Sequence, residues 1–122
     1  MATVRYLVSD VDRAIRFYVD QLGFALETQM GSAFAMVRSP DGLLLWLSGP
    51  QSSAARPMPD GRQPEPGGWN RIVVEVPNLE ARVETMRAAG VTFRNAIVSG
   101  PGGKQILVED NEGNVIEFFE AR

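Results

Sequence analysis

The chain contains neither histidine nor cysteine in its 122 residues. Imidazole and thiolate are the usual protein ligands of zinc, iron, nickel and copper, so a tight site for these metals lacks its ordinary donors. The same absence excludes Ser-His and Cys-His nucleophiles and a disulfide framework. The sequence therefore favours chemistry that carboxylates, guanidinium groups and aromatic rings can perform.

Clustered positive charge and long apolar runs are also scarce. The formal net charge is -3 and the Lys and Arg residues form no cluster, which argues against nucleic acid as a partner. The longest apolar run, residues 43–47, is far shorter than a membrane span. The N-terminus enters a strand pattern directly, without the features of a signal peptide. We expect a soluble cytoplasmic protein with no nucleic-acid or membrane partner.

A repeated pattern gives the organisation of the chain. Residues 3–11 and 71–79 share one alternating apolar pattern followed by a helix start. Ser9 and Asp10 offer capping oxygens for the first helix and Asn78 for the second, and a glycine follows each helical stripe. The pattern predicts one domain over 1–122, with module one at 1–48, a linker or flap at 49–68 and module two at 69–122.

Three further strands are predicted in each module, at 24–30, 33–38 and 43–48 and at 92–98, 104–109 and 114–119. Each module therefore has the order β-α-β-β-β. The predicted fold class is α+β, with the paired modules forming a cupped, mostly antiparallel eight-stranded sheet covered by two helices. Residues 101–104 are interpreted as a turn, because the spacing of a phosphate loop and its helix are missing.

The segment 49–68 holds five of the eight prolines and little apolar content, so it cannot form a packed core of its own. Two interpretations remain open. It is a flexible linker, or it is a flap over a ligand site with Trp69 as its anchor.

Residues 8–18, 22–24 and 113–118 together resemble the vicinal oxygen chelate superfamily. That group includes glyoxalase I, extradiol dioxygenases, fosfomycin-modifying enzymes and bleomycin resistance proteins. The resemblance covers essentially the whole chain and implies paired β-α-β-β-β modules. It also implies a homodimer with sites near the subunit interface.

The resemblance further implies where a metal would bind. Metal-dependent members place His or Glu on the inner face of the first and fourth strands of each half, and those positions here are Thr3, Trp46, Arg71 and Glu117. Only Glu117 matches, and Arg71 would bring a positive charge to the cation's place. We therefore expect no metal and no cofactor.

Alternation sorts the strand residues into two faces. The first is apolar and is expected under the helices: Val4, Tyr6, Val8, Ile72, Val74 and Val76. The second mixes charged, aliphatic and aromatic residues, as the lining of a pocket does: Thr3, Arg5, Leu7, Leu44, Trp46, Arg71, Val73, Glu75, Val115, Glu117 and Phe119. From it we predict six ligand-binding residues: Thr3, Arg5, Trp46, Arg71, Val73 and Glu117.

The roles of three of these residues stay open at this point. Arg71 and Glu117 could form an ion pair that closes the cavity. Alternatively, Arg71 binds an anionic or carbonyl group, and Glu117 is the best candidate for a catalytic base. Trp46 is either ordinary packing or an aromatic wall for a flat ligand.

The leading hypothesis is metal-independent binding of a small hydrophobic or aromatic molecule, as in the bleomycin resistance branch, with sequestration of an antibiotic or toxin as its use. The alternative is a lyase, isomerase or dioxygenase-related enzyme that uses Glu117 and Arg71. A third possibility is a structural or regulatory partner that binds no ligand.

Overall fold

The computed structural model describes residues 2–122 and shows an α+β chain with two compact units, one ending at Pro66 and the next beginning at Gly67. Unit 1 and unit 2 are our names for them. Unit 1 contains β1 (Val4–Leu7), α1 (Val11–Arg16), β2 (Ala25–Met30), β3 (Phe34–Arg38) and β4 (Leu44–Ser48). Unit 2 contains β5 (Arg71–Glu75), α2 (Leu79–Ala88), β6 (Thr92–Phe93), β7 (Val98–Gly100), β8 (Gly103–Glu109) and β9 (Val115–Ala121).

Unit 1 is a four-stranded sheet with the order β1-β4-β3-β2, in which only β1 and β4 run parallel. One face of β3 and β4 is completely buried: Ala35, Val37, Leu45 and Leu47. Asp10 caps helix α1, since its side chain accepts the backbone N–H of Arg13 at 3.1 Å. The helix continues as a π-helical segment over Phe17–Gln21. The predicted helix is thus confirmed, and of its two capping candidates, Ser9 and Asp10, the structure uses Asp10.

Unit 2 repeats this plan with the sheet order β5-β9-β8-β6, and β7 pairs with β8. Asn78 caps α2 by accepting the backbone N–H of Ala81 at 3.1 Å. The Arg82 guanidinium of α2 lies 5.3 Å from the ring centre of Phe118, so the helix covers the face to which Phe118 points. The opposite face carries the alternate residues of β5 and β9, as the sequence pattern predicted.

The strand predicted at 92–98 is wrong as a single element, because the structure divides it into β6 and β7. The side chain of Asn95 explains the break. Its Oδ1 accepts a hydrogen bond from the backbone N–H of Leu107 at 2.9 Å, in place of the backbone carbonyl that a continuous strand would offer to this N–H. The described chain therefore has nine strands, in sheets of four and five, instead of the eight strands predicted in one sheet.

The turn predicted at 101–104 is confirmed, since it joins β7 to β8 with Gly100 opposite Gly103. Gly103 has a φ of +150°, and a Cβ built there would lie 2.1 Å from the carbonyl oxygen of Glu120. A side chain is excluded by both conditions.

The segment between β4 and β5 is mostly exposed, with a short 3-10 turn at Ser53–Ala55. Whether it acts as a flap stays a prediction. No helical segment within residues 2–122 has the length and apolar character needed to cross a bilayer.

Candidate functional site

Strand register brings two predicted site residues together in unit 1. Arg5 of β1 lies opposite Trp46 of β4 in the parallel pair, so both side chains point to the face away from the fully buried layer. Met36 of β3 lies opposite Trp46 on its other side. We call the residues Arg5, Phe34, Met36, Trp46 and Ser48 the aromatic face.

The aromatic face is organised around the indole ring. The Phe34 ring meets Trp46 edge to face, with 5.5 Å between ring centres and an interplanar angle of 84°. The Arg5 guanidinium lies 4.9 Å from the centre of the same indole, within cation–π range. Arg5 Nη1 also donates to Ser48 Oγ at 3.0 Å. The ring is thus held from two sides by specific contacts.

The indole nitrogen of Trp46 is an exception to normal hydrogen bonding. Nε1 is buried and has no acceptor among the described residues, although the residue as a whole is only half-buried. A buried N–H without a partner costs roughly 1–3 kcal/mol, and proteins rarely leave one so. It marks a place where a further acceptor would be favourable.

The two arginines of unit 1's sheet differ in their pairing. Arg38 donates to the Glu27 carboxylate, and this contact holds the pKa of Glu27 below its ordinary value and raises the pKa of Arg38. Arg5 makes no ion pair with any residue in the described range 2–122. Its positive charge is therefore not neutralised by a neighbouring carboxylate.

The equivalent surface of unit 2 is built on an ion pair. Glu117 Oε1 accepts Arg71 Nε at 3.0 Å and lies 2.9 Å from Arg71 Nη2, a fork-like contact to one oxygen. Their side chains are 10% and 28% exposed. We call Arg71, Val73, Glu75, Glu117 and Phe119 the ion-pair face.

The ion-pair face does not fit a metal ion. Of the four positions implied by the superfamily resemblance, only Glu117 carries one of the expected side chains, His or Glu, and its carboxylate is bonded to a guanidinium. Within residues 2–122 no group of three or more Asp or Glu side chains is arranged to hold a metal. One neutralised carboxylate is too few donors for a divalent cation.

The six predicted site residues fall into separate groups. Arg5 and Trp46 meet in unit 1, and Arg71 and Glu117 meet in unit 2, where Val73 lies opposite Glu117 in register and is 54% exposed. Thr3 precedes β1 and is exposed. That all six line one pocket stays a prediction.

The sequence analysis did not include Phe34 or Ser48 among the predicted ligand-binding residues. The predicted turn at 39–42 could have indicated both residues. Antiparallel pairing around this turn places Phe34 opposite Ser48, and Phe34 is two residues from Met36, which lies opposite Trp46. Diagonal neighbours at this spacing are within reach of aromatic side chains.

A second missed group surrounds Arg94 in unit 2. Its guanidinium donates to Glu109 at 2.8 Å, to the Gly68 carbonyl at 2.9 Å and to the Gly113 carbonyl at 3.1 Å. It also lies 4.6 Å from the ring centre of Trp69, which is 68% exposed. Trp69 is thus held in unit 2 by its contact with Arg94.

The chain is similar to many solved structures. A superfamily member from Sphaerobacter thermophilus is 26% identical with a TM-score of 0.75, covering 98% of this chain and 97% of that one. TioX from a Micromonospora species is 21% identical with a TM-score of 0.75, covering 100% of both chains. TnmS3, described as an antibiotic binding protein from a Streptomyces species, is 22% identical with a TM-score of 0.72, covering 100% of this chain and 97% of that one.

No curated protein matches the chain. The sequence model of the Glyoxalase/Bleomycin resistance protein/Dioxygenase superfamily matches residues 1–118. This match spans nearly the whole sequence and agrees with the duplicated β-α-β-β-β plan of the two units. The chain therefore belongs to the Glyoxalase/Bleomycin resistance protein/Dioxygenase superfamily.

Proposed function

We propose that this protein binds a small hydrophobic or aromatic molecule without a metal ion, and that the aromatic face contacts it. The observation that carries the proposal is the indole of Trp46, held between Phe34 and Arg5 at a position where the superfamily resemblance implies a metal ligand. A flat apolar ligand gains from burial against such a ring and from stacking on it.

The structural neighbours support the use of this binding. TnmS3 is described as an antibiotic binding protein, and its fold spans the whole of this chain. We propose sequestration of an antibiotic or another toxic compound as the biological role, with Arg5 and Trp46, two of the predicted site residues, as ligand contacts in unit 1.

The enzyme alternative has less support in the geometry. A general base must be free to take a proton from its substrate. Glu117 and Arg71 instead bond to each other through two guanidinium nitrogens. This pairing favours a structural role for both residues, so we do not propose catalysis.

Thermal shift screening against a panel of polycyclic aromatic compounds, with and without EDTA, tests the proposal. A compound that binds the folded protein raises the unfolding midpoint in a concentration-dependent way. We expect such compounds, an unchanged shift in EDTA, and loss of the shift in Trp46→Leu, which keeps apolar bulk but removes the ring. Trp69→Leu is the matched control and should retain it. A shift that needs a divalent ion, or one that Trp46→Leu retains in full, would contradict the proposal.

We also propose a homodimer, as the superfamily resemblance implies, in the cytoplasm. Strand β2 supports association, because it is an edge of its sheet and all six of its residues are exposed, including Leu26 and Met30. Sedimentation velocity gives the oligomeric state. A purely monomeric protein at micromolar concentration would contradict this part.

A further inference from the structure

The hydrogen-bonding groups of the aromatic face are almost all donors. Trp46 Nε1 is a buried N–H without an acceptor in the described chain. Arg5 donates one N–H to Ser48 Oγ and has no carboxylate partner within residues 2–122. Because indole and guanidinium offer no acceptor, a ligand that matches this face must bring acceptor oxygens.

The local charge has the same preference. The other arginine of this sheet, Arg38, is paired with Glu27, which leaves the charge of Arg5 uncompensated beside the indole. The formal net charge of -3 is spread over the whole chain, and charges beyond about 10 Å are largely screened in physiological salt. A group that touches the aromatic face therefore meets a positive site on an acidic protein.

Access to the indole N–H depends on a side-chain movement, since Nε1 is enclosed by protein. Met36 is half-buried and lies opposite Trp46 in register. Its unbranched thioether changes rotamer easily, so it is the neighbour best able to move. Ligand binding then gives the indole N–H an acceptor, which it lacks within the described residues.

We propose that the ligand is a planar aromatic molecule that carries a carbonyl, phenolate or carboxylate oxygen, and that this oxygen accepts a hydrogen bond from Trp46 Nε1 and faces Arg5. The inference rests on the proposed function and deepens it by naming the chemical class of the ligand. It assigns the ring of Trp46 to affinity and its N–H, together with Arg5, to selectivity. Sites built around a buried donor discriminate strongly against molecules that cannot satisfy it.

Isothermal titration with three probes of one ring system tests this assignment: 2-naphthoate, 2-naphthylmethanol and 2-naphthylmethylammonium. They share the fused ring and differ in the polar group. We expect 2-naphthoate to bind most tightly and the ammonium probe most weakly, with about a tenfold or larger difference in Kd between these two.

Variants separate the ring from its N–H. Trp46→Phe keeps an aromatic ring and removes the donor, so it should weaken 2-naphthoate several-fold and change 2-naphthylmethanol much less. Arg5→Gln should narrow the gap between the anionic and cationic probes, and Arg5→Lys should restore part of it. Trp69→Phe is the matched control and should leave all three affinities unchanged.

The failure of this inference is distinguishable from failure of the proposed function. Equal affinity for the three probes, or a Trp46→Phe variant that keeps the full preference for 2-naphthoate, overturns the ligand class while aromatic binding stands. Absence of binding by every probe at millimolar concentration overturns it as well. If no compound in the thermal shift panel raises the unfolding midpoint, the proposed function itself is overturned.

Discussion

The two units share one backbone plan and carry different chemistry on equivalent strands. Trp46 and Glu117 occupy equivalent positions on the last strand of each unit, β4 in unit 1 and β9 in unit 2. In unit 1, Arg5 stacks on the indole. In unit 2, Glu117 pairs with Arg71, whose counterpart in the repeated pattern is Thr3 and not Arg5. One unit therefore has an unpaired cation beside an aromatic ring, and the other has a neutralised pair. The difference teaches that a few register positions decide what each half can bind.

The hairpin turns of the two units show the opposite behaviour, because a different side chain makes the same contact. Ser39 Oγ accepts the backbone N–H of Leu43 at 2.8 Å, and Asp110 Oδ1 accepts the backbone N–H of Asn114 at 2.9 Å. The two units thus keep the same turn hydrogen bond, which stabilises the fold, and differ in the side chains of the face where a ligand is proposed.

Substitution at close-packed glycines is expected to have the largest effect and compares the two units directly. Gly103→Ala should lower the free energy of unfolding by about 3 kcal/mol or more, because its Cβ would overlap the Glu120 carbonyl oxygen and its φ is positive. Gly49→Ala in unit 1 meets Val11 Cγ2 at 2.8 Å and Ser32 O at 2.9 Å, so a smaller loss of about 1–2 kcal/mol is expected. Urea unfolding measures both. A larger loss at Gly49 would reverse this ranking.

The turn residues come next. Asp110 is 4% exposed and also accepts from the backbone N–H of Glu112 and the side-chain amide of Asn114. Asp110→Ala leaves these donors unsatisfied and should cost about 2–3 kcal/mol, whereas Ser39→Ala, which frees one backbone donor, should cost about 1 kcal/mol. Equal losses in urea unfolding would show that the two turns are energetically equivalent despite their different side chains.

Charge removal should distinguish the two faces by a smaller amount. Glu117→Gln should cost about 1–2 kcal/mol, since it leaves Arg71 partly buried without its partner. Arg5→Gln should cost less, about 0.5–1 kcal/mol, because it removes the cation–π contact with Trp46 and the hydrogen bond to Ser48 but breaks no ion pair. A double-mutant cycle with Arg71→Gln measures the coupling in unit 2. A coupling energy near zero would mean that the pair does not stabilise the fold.

The smallest expected effect is a pH dependence shared by exposed pairs in both units. Hydrogen bonds from Arg38 and Lys104 lower the pKa of Glu27 and Glu80 from the ordinary value of 4.5. A lowered carboxyl pKa adds stability that is present above that value and is lost as the pH falls through the folded-state pKa. Glu27→Gln and Glu80→Gln should therefore each flatten the fall in unfolding midpoint below pH 4.5 slightly. An acid profile identical to that of the wild type in both variants would assign the fall to other carboxyl groups.

The pH profile has an alkaline counterpart in unit 2. Contact with Glu80 raises the pKa of Lys104 above 10.5, so the stability from this group is complete below that value and is lost as the pH rises through the folded-state pKa. Lys104→Met should remove this loss. Thermal unfolding between neutral and strongly alkaline pH measures it.

The fold could be predicted from the sequence because its signals are local. Alternation in the strands, the caps Asp10 and Asn78, and the glycines after both helices each specify a short stretch of backbone, and the repeat made every signal appear twice. The break after Phe93 was missed because the Asn95 side chain competes with the strand ladder through Leu107, a residue distant in sequence.

The site was predictable only in part. The register of the resemblance gave Trp46 and Glu117, and alternation gave Arg5, but the contacts of these residues depend on side-chain direction. Phe34 was not predicted as a site residue because nothing in its own strand shows that its ring meets Trp46 edge to face. The unpaired indole N–H is an absence of a contact, which no sequence pattern specifies.

Arg94 has a practical consequence for dividing the chain. A fragment that begins at Gly67 retains the Gly68 carbonyl and the Trp69 ring, and with them the full set of contacts around this guanidinium. A fragment that begins at Asn70 loses both, and Gly67, whose backbone N–H binds the side chain of Asn114, is lost with them. The second half of the gene should therefore be expressed from codon 67 if it is to be studied alone.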